Sequence, residues 1–524
     1  MKKIITFFVV LLILSGCAQK QDKVKTDDIL TQSTNELTQE LKDDLVAKEK
    51  LEGEVFYNIF PISFADSNDD GFGDINGITK SLDYLQEMGI KGIWLNPIHP
   101  SPSYHKYDVV DYYGIDPQFG TIDDFKNLLK EAHDRNMVII MDMVLNHSSS
   151  KHPWFEKSMN NEIGYEDYYI KVDSLDEIDV KDKSAWYKKG DQYYFGSFWS
   201  EMPEFNLESK AVRSEFRKIL KFWLDLGVDG FRYDAAKHAY DINEYNAGTF
   251  TLDKNRQFWL EMKKYVKSVN PEAYVVAEVW LDSKQMSHYV NGFDALFNFD
   301  FGEAVYNALT KQQAIDFLAP YSKFLSTFKE ASHYMDAPFL SNHDQPRIAS
   351  NLNGSIDQLK VAASILLTVP GNPYIYYGEE LGYLGVKPDE RIREPFKWGD
   401  SFEQKQPRWE TVVLNLKTQD ATEQLEDQDS LLTHYRRLGK LRSENEILKK
   451  GTYSSLPYGD NTTIAYERVL GDQRLYVLHN LSETKTNITL KESGEILFAT
   501  NDSSLTNQSV VLNGYSTLIV KVQP

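Results

Sequence analysis

The sequence predicts an α/β fold: a (β/α)8 barrel with a small domain inserted after its third strand and an all-β domain at its C-terminal end. Three observations predict it. From residue 54 onward, short runs rich in β-branched and aromatic residues alternate with longer stretches of helical periodicity. The connection after the third run is far too long for a βα loop. Beyond residue 449 the helical stretches give way to short strands separated by Gly, Asn and Asp turns.

The predicted barrel strands are Val55–Phe60, Gly92–Asn96, Val138–Met143, Gly230–Asp234, Tyr274–Val279, Ala295–Phe299, Phe339–Ser341 and Tyr374–Tyr377. Ile78–Met88, Ile122–Arg135, Ala211–Leu226, Arg256–Val269 and Leu359–Leu367 are the amphipathic stretches between them. Eight βα units close into a barrel whose site lies at the C-terminal strand ends. The barrel is expected over 54–448, interrupted by an inserted domain over 147–208 that is rich in Tyr, Trp, Asp and Lys. Residues 449–524 are expected to form a β-sandwich from Thr462–Arg468, Arg474–Asn480, Asn487–Leu490, Glu495–Ala499 and Ser509–Val520.

Ahead of the barrel, Lys2-Lys3 precede an apolar run, Ile4–Leu14. That run is shorter than the roughly 20 residues a membrane-spanning helix needs. Leu14-Ser15-Gly16-Cys17 follows, and the whole resembles a bacterial lipoprotein signal. The resemblance implies that residues 1–16 are removed and that Cys17 carries the lipid. Residues 17–53 are polar and read as a tether. The expected location is extracytoplasmic, lipid-anchored to the cell membrane at the cell surface.

The 524 residues carry 57 Lys+Arg against 78 Asp+Glu, a formal charge of −21. That balance argues against nucleic acid or an anionic lipid surface as a main partner. The single cysteine excludes an intramolecular disulfide and a cysteine-based zinc site. Aromatics reach 13%, a surplus compatible with ring-shaped ligands.

Four strand ends carry titratable residues: Asp142 to His147, Gly230 to Asp234 with Lys237-His238 behind it, Glu278, and Asn342-His343-Asp344. Asp234, Glu278 and Asp344 should therefore converge on one rim. Paired carboxylates supply the nucleophile and the proton donor that a glycosidic bond requires. Arg232 shares a strand face with Asp234 and is expected to keep it ionised.

These segments resemble those shared by the α-amylase family of retaining glycoside hydrolases. Val228-Asp229-Gly230-Phe231-Arg232-Tyr233-Asp234 and Phe339-Leu340-Ser341-Asn342-His343-Asp344 are the most specific pieces. Gly92 to Pro97, Tyr376 to Glu380 and Arg393-Glu394-Pro395-Phe396 also look like family segments. The resemblance implies that Asp234 is the nucleophile, Glu278 the acid/base, and Asp344 the group that favours the distorted transition state. It implies further that Tyr107 stacks on the sugar, His147 and His343 bind its hydroxyls, and Arg232 holds Asp234. Lys237 and His238 would touch the sugar beyond the scissile bond, as in enzymes cutting internal α-1,4 bonds. Met202-Pro203-Glu204-Phe205-Asn206 departs from the family pattern, and related forms occur in enzymes acting on oligosaccharides, pullulan or α-1,6 bonds. Both bond preferences stay open here. Trp154, Trp186 and Trp199 are further candidates for sugar stacking.

Asp66, Asn68, Asp70 and Asp74 place oxygen donors at positions 1, 3, 5 and 9 of a loop, with the Phe72 carbonyl at 7 and Gly71 at 6. The spacing suits calcium, although Gly77 stands where an EF-hand has Glu. Family members carry this same loop after the first strand. The expected enzyme is thus a calcium-dependent monomer acting on an α-glucan. Such a neutral substrate needs no countercharge, which fits the acidity.

Overall fold

The computed structural model describes residues 45–178, 183–240 and 252–522. The predicted signal 1–16, Cys17 and the tether up to residue 44 lie outside the described residues. The chain contains β1 (Val55–Ile59), β2 (Ile90–Leu95), β3 (Val138–Met143), β4 (Lys171–Val172), β5 (Trp186–Lys189) and β6 (Gln192–Phe195). It continues with β7 (Gly230–Tyr233), β8 (Tyr274–Ala277), β9 (Ala295–Asn298), β10 (Met335–Pro338) and β11 (Tyr374–Tyr376). Eight of these form one parallel sheet in the order β10-β9-β8-β7-β3-β2-β1-β11. A single parallel bridge, Phe339 to Tyr374, closes the seam between its ends. This is the expected barrel.

Side-chain alternation decides what faces inward. Phe56, Trp94, Ile140, Val276, Phe297, Ala337 and Tyr374 form the barrel interior. Their strand neighbours Tyr57, Ile93, Ile139, Val275, Leu296 and Ile375 join the layer packed under the helices. On β7 the same parity turns Gly230, Arg232 and then Asp234 inward, while Phe231 and Tyr233 pack outward. Gly230 is required by close approach: a Cβ there would lie 1.9 Å from the Tyr274 carbonyl oxygen.

The helices Ile122–Asp134 and Lys210–Leu226 fall where periodicity placed them. The first begins with a Thr121–Asp124 capping box, and the second ends at Gly227 in the left-handed conformation. The helices Phe299–Lys311 and Ile315–Phe328, the latter with Pro320 inside it, were not among the expected elements. Among the described residues no helix is long and apolar enough to cross a membrane.

Two boundaries are corrected. The seventh strand is Met335–Pro338, not Phe339–Ser341. Asp336 and Pro338 disguise it, but each has a local solution. Burial pushes the Asp336 carboxyl up to about 8, so it sits uncharged inside the sheet, where Asn298 Nδ2 donates to it. Pro338 lies beside the seam, where β10 has only one full partner strand. The second correction concerns the expected tether. Residues 45–51 form a helix whose Ala47 and Leu51 are buried, Leu51 in the barrel-interior cluster. Lys48 Nζ donates to the Ser332 carbonyl and Lys50 pairs with Glu272. The folded body thus begins before residue 54.

The inserted segment forms a three-stranded sheet, order β4-β6-β5, around Ile178, Ala185, Trp186 and Phe195. The C-terminal domain packs a five-stranded sheet against a three-stranded one, with Ala465, Leu478, Val510, Leu512 and Leu518 between them. The expected strand Ser509–Val520 is two strands, Ser509–Leu512 and Thr517–Val522, one in each sheet. Gly514-Tyr515 turns the chain between them.

Candidate active site

The strand ends bring the predicted residues together. Tyr107, His147, Asp234, Lys237, His238, Glu278 and Asp344 line one open cavity of about 580 Å³ at the C-terminal mouth of the barrel. Arg232 and His343 lie immediately behind this wall, both buried.

Arg232 organises the cluster. Its Nη1 donates to Asp234 Oδ1 at 2.8 Å and to Asp142 Oδ1 at 2.8 Å, and its Nη2 donates to Glu278 Oε2. Tyr107 OH lies 3.0 Å from Asp142 Oδ2 and 2.7 Å from His343 Nε2. The rings of Tyr107 and His343 are nearly coplanar in orientation, 8° apart with centroids at 5.6 Å. His343 Nε2 also contacts Asp344 Oδ2 at 2.9 Å. Ala235, directly after Asp234, adopts a left-handed conformation that turns the chain away from the strand. His147 is buried, and its Nε2 has no protein partner. Burial pulls its pKa down to about 3, leaving a neutral imidazole at the cavity wall.

One electrostatic expectation is corrected. Arg232 does not hold Asp234 in the usual carboxylate range. Burial pushes Asp234 up to about 7, against the pull of Arg232, and the charges of Asp142 and Asp344 push the same way. Arg232 does not cancel the effect of burial, and its one charge is divided among three carboxylates, Asp142, Asp234 and Glu278. Asp142 is itself raised to about 6 by burial. Glu278 is raised by burial too, with Asp234 and Asp344 adding to it and Arg232 opposing. Asp344 goes the other way. Despite its burial, His343 and Arg393 hold it far below the ordinary range.

Asp142 and Arg393 were missed as site residues. Asp142 is buried and accepts from Arg232, Tyr107 and Trp94 Nε1. Its signal was available: it has the inward parity of β3, where a charge needs a partner. Arg393 donates to Asp344 Oδ1, the His343 carbonyl and Tyr104 OH, each at 3.0 Å. No local pattern reveals that contact, since Arg393 arrives from a loop about fifty residues downstream. Of the three tryptophans considered, Trp186 is buried in the inserted domain and Trp154 packs among Tyr112, His152 and Tyr168. Trp199 alone of them reaches the cavity.

The loop of Asp66 to Asp74 lies apart, beside the helix Ile75–Lys80. Asp66 Oδ1 accepts from the amides of Asn68 and Asp69, and its Oδ2 from Gly71. Asp74 caps the helix through Gly77 N. Lys405 and Arg408 strap the loop from outside through backbone hydrogen bonds to Asp66 and Gly71. The all-oxygen donor set fits calcium. Among the described residues, however, no three His, Cys, Asp or Glu side chains gather into a metal cluster. Asn68, the Phe72 carbonyl and water would have to complete the shell.

Comparison with known proteins agrees with this geometry. Residues 58–451 match the family model "Alpha amylase, catalytic domain", and residues 463–519 match "Alpha-amylase SusG C-terminal domain". Alpha-amylase 3 of Dictyoglomus thermophilum is 41% identical over 89% of this chain and 93% of its own. Oligo-1,6-glucosidase of Parageobacillus thermoglucosidasius is 30% identical over 87% and 94%. The crystal structure of an α-amylase from H. orenii superposes with a TM-score of 0.83 at 37% identity, covering 90% of this chain and all of that one. With a barrel of this topology, these carboxylates at its mouth and matches along almost its whole folded length, the chain belongs to the α-amylase family of glycosidases.

Proposed function

We propose that this protein is a retaining hydrolase of α-1,4-glucosidic bonds in starch, glycogen or maltooligosaccharides. The observation that carries the reading is the shared guanidinium of Arg232, which binds Asp234 and Glu278 through adjacent nitrogens. Two carboxyls held on one fork sit close together, as the spacing of about 5–5.5 Å in retaining enzymes demands. Asp234 attacks the anomeric carbon while Glu278 protonates the departing oxygen. Glu278 then takes a proton from water as the ester to Asp234 is broken. Asp344, kept anionic by His343 and Arg393, stabilises positive charge developing at the sugar ring. The cavity is lined past Glu278 by Lys237, His238 and Trp280, and past Asp344 by Lys387 and Asp389. A cleft lined on both sides of the catalytic group suits a chain running through it, hence internal cleavage.

The raised proton affinity of Asp234 has a consequence for pH. The ionised form is the nucleophile, so kcat/KM should fall as pH drops through about 7. Asp142→Asn removes a repelling charge and frees Arg232 for Asp234. The acid limb of the profile should then move down by about one pH unit. An unmoved limb in the variant would show that Asp142 does not tune the nucleophile.

The Asp66–Asp74 loop is the proposed calcium site, with Asp66, Asn68, Asp70, the Phe72 carbonyl and Asp74 as candidate ligands that the ion would have to draw together. The ion would stiffen the loop ahead of the helix Ile75–Lys80 rather than take part in chemistry. Lipid on Cys17 is the proposed anchor, holding a monomer at the cell surface. Residues 45–51 enter at the barrel end opposite the cleft, so a tether there would leave the cleft facing outward. The testing experiment is digestion of soluble starch, pullulan and isomaltose with and without chelator, with products sized over time. Rapid viscosity loss on starch, and a Tm lowered by roughly 5 °C or more with chelator, are expected. Cleavage of isomaltose in preference to starch would instead support an oligo-1,6-glucosidase. A Tm indifferent to chelator would remove calcium from the account.

A further inference from the structure

Lys106 stands where its own chemistry is ill suited. Its backbone is left-handed, with φ at 64°, a conformation glycine takes freely and a lysine seldom does. The residue is only 6% exposed, although lysines almost always keep to the surface. A glycine here would avoid both penalties. What the lysine brings is a set of buried contacts. Its ammonium lies 2.7 Å from Asp116 Oδ2, donates to the Ser101 carbonyl at 3.3 Å and sits 5.5 Å from the centre of the Phe119 ring. Asp116 is fixed in turn. Its Oδ1 accepts from Gln118 N at 3.0 Å, its Oδ2 from Ser101 N at 3.3 Å, and its own N–H donates to the Ile98 carbonyl just past β2.

The next residue is Tyr107. His105 and Tyr107 line the cavity, and Lys106 between them does not. The Tyr107 hydroxyl accepts from Asn96 Nδ2 at 3.1 Å and from Arg232 Nη1 at 3.3 Å, beside its contacts with Asp142 and His343. The ring is therefore gripped at its tip by the catalytic cluster. Its backbone end is held by the turn. Tyr107 N donates to His105 Nδ1 and Lys106 N to Ser103 Oγ, each at 3.2 Å, and Asp108 accepts from Ser101 Oγ at 2.6 Å. Those three bonds stay within residues 101–108, whereas the Lys106–Asp116 pair ties the turn to the chain beyond it.

We infer that Lys106 is a positioning residue for this reaction: paired with Asp116, it holds the strained turn that sets the Tyr107 ring against the sugar in the cleavage subsite. The inference rests on the retaining reading above, with Tyr107 as the sugar-facing ring. A buried ion pair adds little stability over an apolar contact of like size, but it admits few arrangements. Backbone strain persists only where the surroundings over-determine it, and here they do so next to the cavity. A shift of about an ångström at Tyr107 would misplace both its face and its hydroxyl. Lys106 touches no reacting atom, so its whole effect passes through Tyr107.

The test is a cycle of Lys106→Gly, Asp116→Asn and the double variant in the full-length protein, each measured for kcat and KM on maltoheptaose and for Tm. Lys106→Gly takes the left-handed turn without strain but cuts the anchor. Asp116→Asn cuts it from the other end and keeps an oxygen for the amide of Gln118. Each single variant should lose about tenfold in kcat with KM within about threefold, because most of a long substrate binds outside the cleavage subsite. Each should also lower Tm, since each leaves a buried charge without its partner. The double variant leaves neither charge, so its Tm should rise above that of Lys106→Gly while kcat stays as low as in the single variants. Should a single variant fail to fold, the double variant carries the test by its kcat. A kcat that recovers together with Tm, or one within about twofold of the parent in any of the variants, would overturn the inference alone and leave Lys106 a role in stability only. Maltoheptaose left intact by the unaltered protein would overturn the proposed function, and the inference with it.

Discussion

Asp234→Asn should lower kcat on starch by at least about four orders of magnitude while the protein stays folded. The carboxamide matches the carboxylate in shape and still offers an oxygen to Arg232 Nη1, so the cavity keeps its geometry. What disappears is the anion that forms the covalent bond. Stability should hold or rise, because Asp234 is crowded by Asp142 and Asp344 and its charge is costly where it sits. Glu278→Gln provides the contrast. Starch needs its leaving oxygen protonated, so that variant should also lose starch hydrolysis. A glycosyl fluoride needs no such proton, so Glu278→Gln should still release fluoride from α-maltosyl fluoride, whereas Asp234→Asn should not. Measuring both variants on both substrates separates nucleophile from acid. Starch hydrolysis by Asp234→Asn within tenfold of the parent would sink the assignment.

The largest expected effect on stability lies far from the cleft. Arg442 and Arg468 are fully buried, and their hydrogen bonds go to backbone carbonyls. Arg442 donates to Gly53 O at 2.7 Å, Leu367 O at 2.9 Å, Val369 O at 2.8 Å and Gly371 O at 2.7 Å. Arg468, from the C-terminal domain, donates to Thr368 O and twice to Gly451 O. Together they cap the C-terminal end of the helix Ile356–Thr368, where carbonyls lack partners and the helix dipole is negative. Thr368 continues the junction through Tyr466 OH to His479 and Thr517. One helix end thus joins the barrel to the β domain. Arg442→Met should destabilise the protein by about 3–5 kcal/mol, since each carbonyl deprived of its donor costs roughly 1–3 kcal/mol and loss of a buried cation offsets part of it. Denaturant unfolding should show the smaller midpoint. The loss from changing both arginines should be more than additive, because either single change already relieves the repulsion between the two buried cations. A change below about 1 kcal/mol for Arg442→Met would mean that water or local shifts replace its bonds.

Much of the site was legible because a strand repeats its facing every second residue. Gly230, Arg232 and Asp234 share a face by counting alone, and the strand ends set Glu278 and Asp344 on the same rim. Type and spacing also marked the oxygen-rich loop and the β domain. The seventh strand was not legible, because a buried uncharged Asp336 and an edge Pro338 look like loop residues until their neighbours are known. Nor was the body's true start: Leu51 reads as an isolated apolar residue in a polar segment until the barrel interior receives it.

By itself, then, the sequence determined the barrel, its two additions and the chemical groups at the mouth, all of which follow from local periodicity and side-chain type. The tertiary structure decided how Arg232 divides its charge, and hence how tightly Asp234 holds a proton. It also decided that Arg393 secures Asp344 and that Trp280 stacks on Phe299 at the cavity. The reason is one of range. Periodicity is written in neighbouring residues, whereas a proton's affinity and a ring's orientation are sums over groups that only folding brings within a few ångströms.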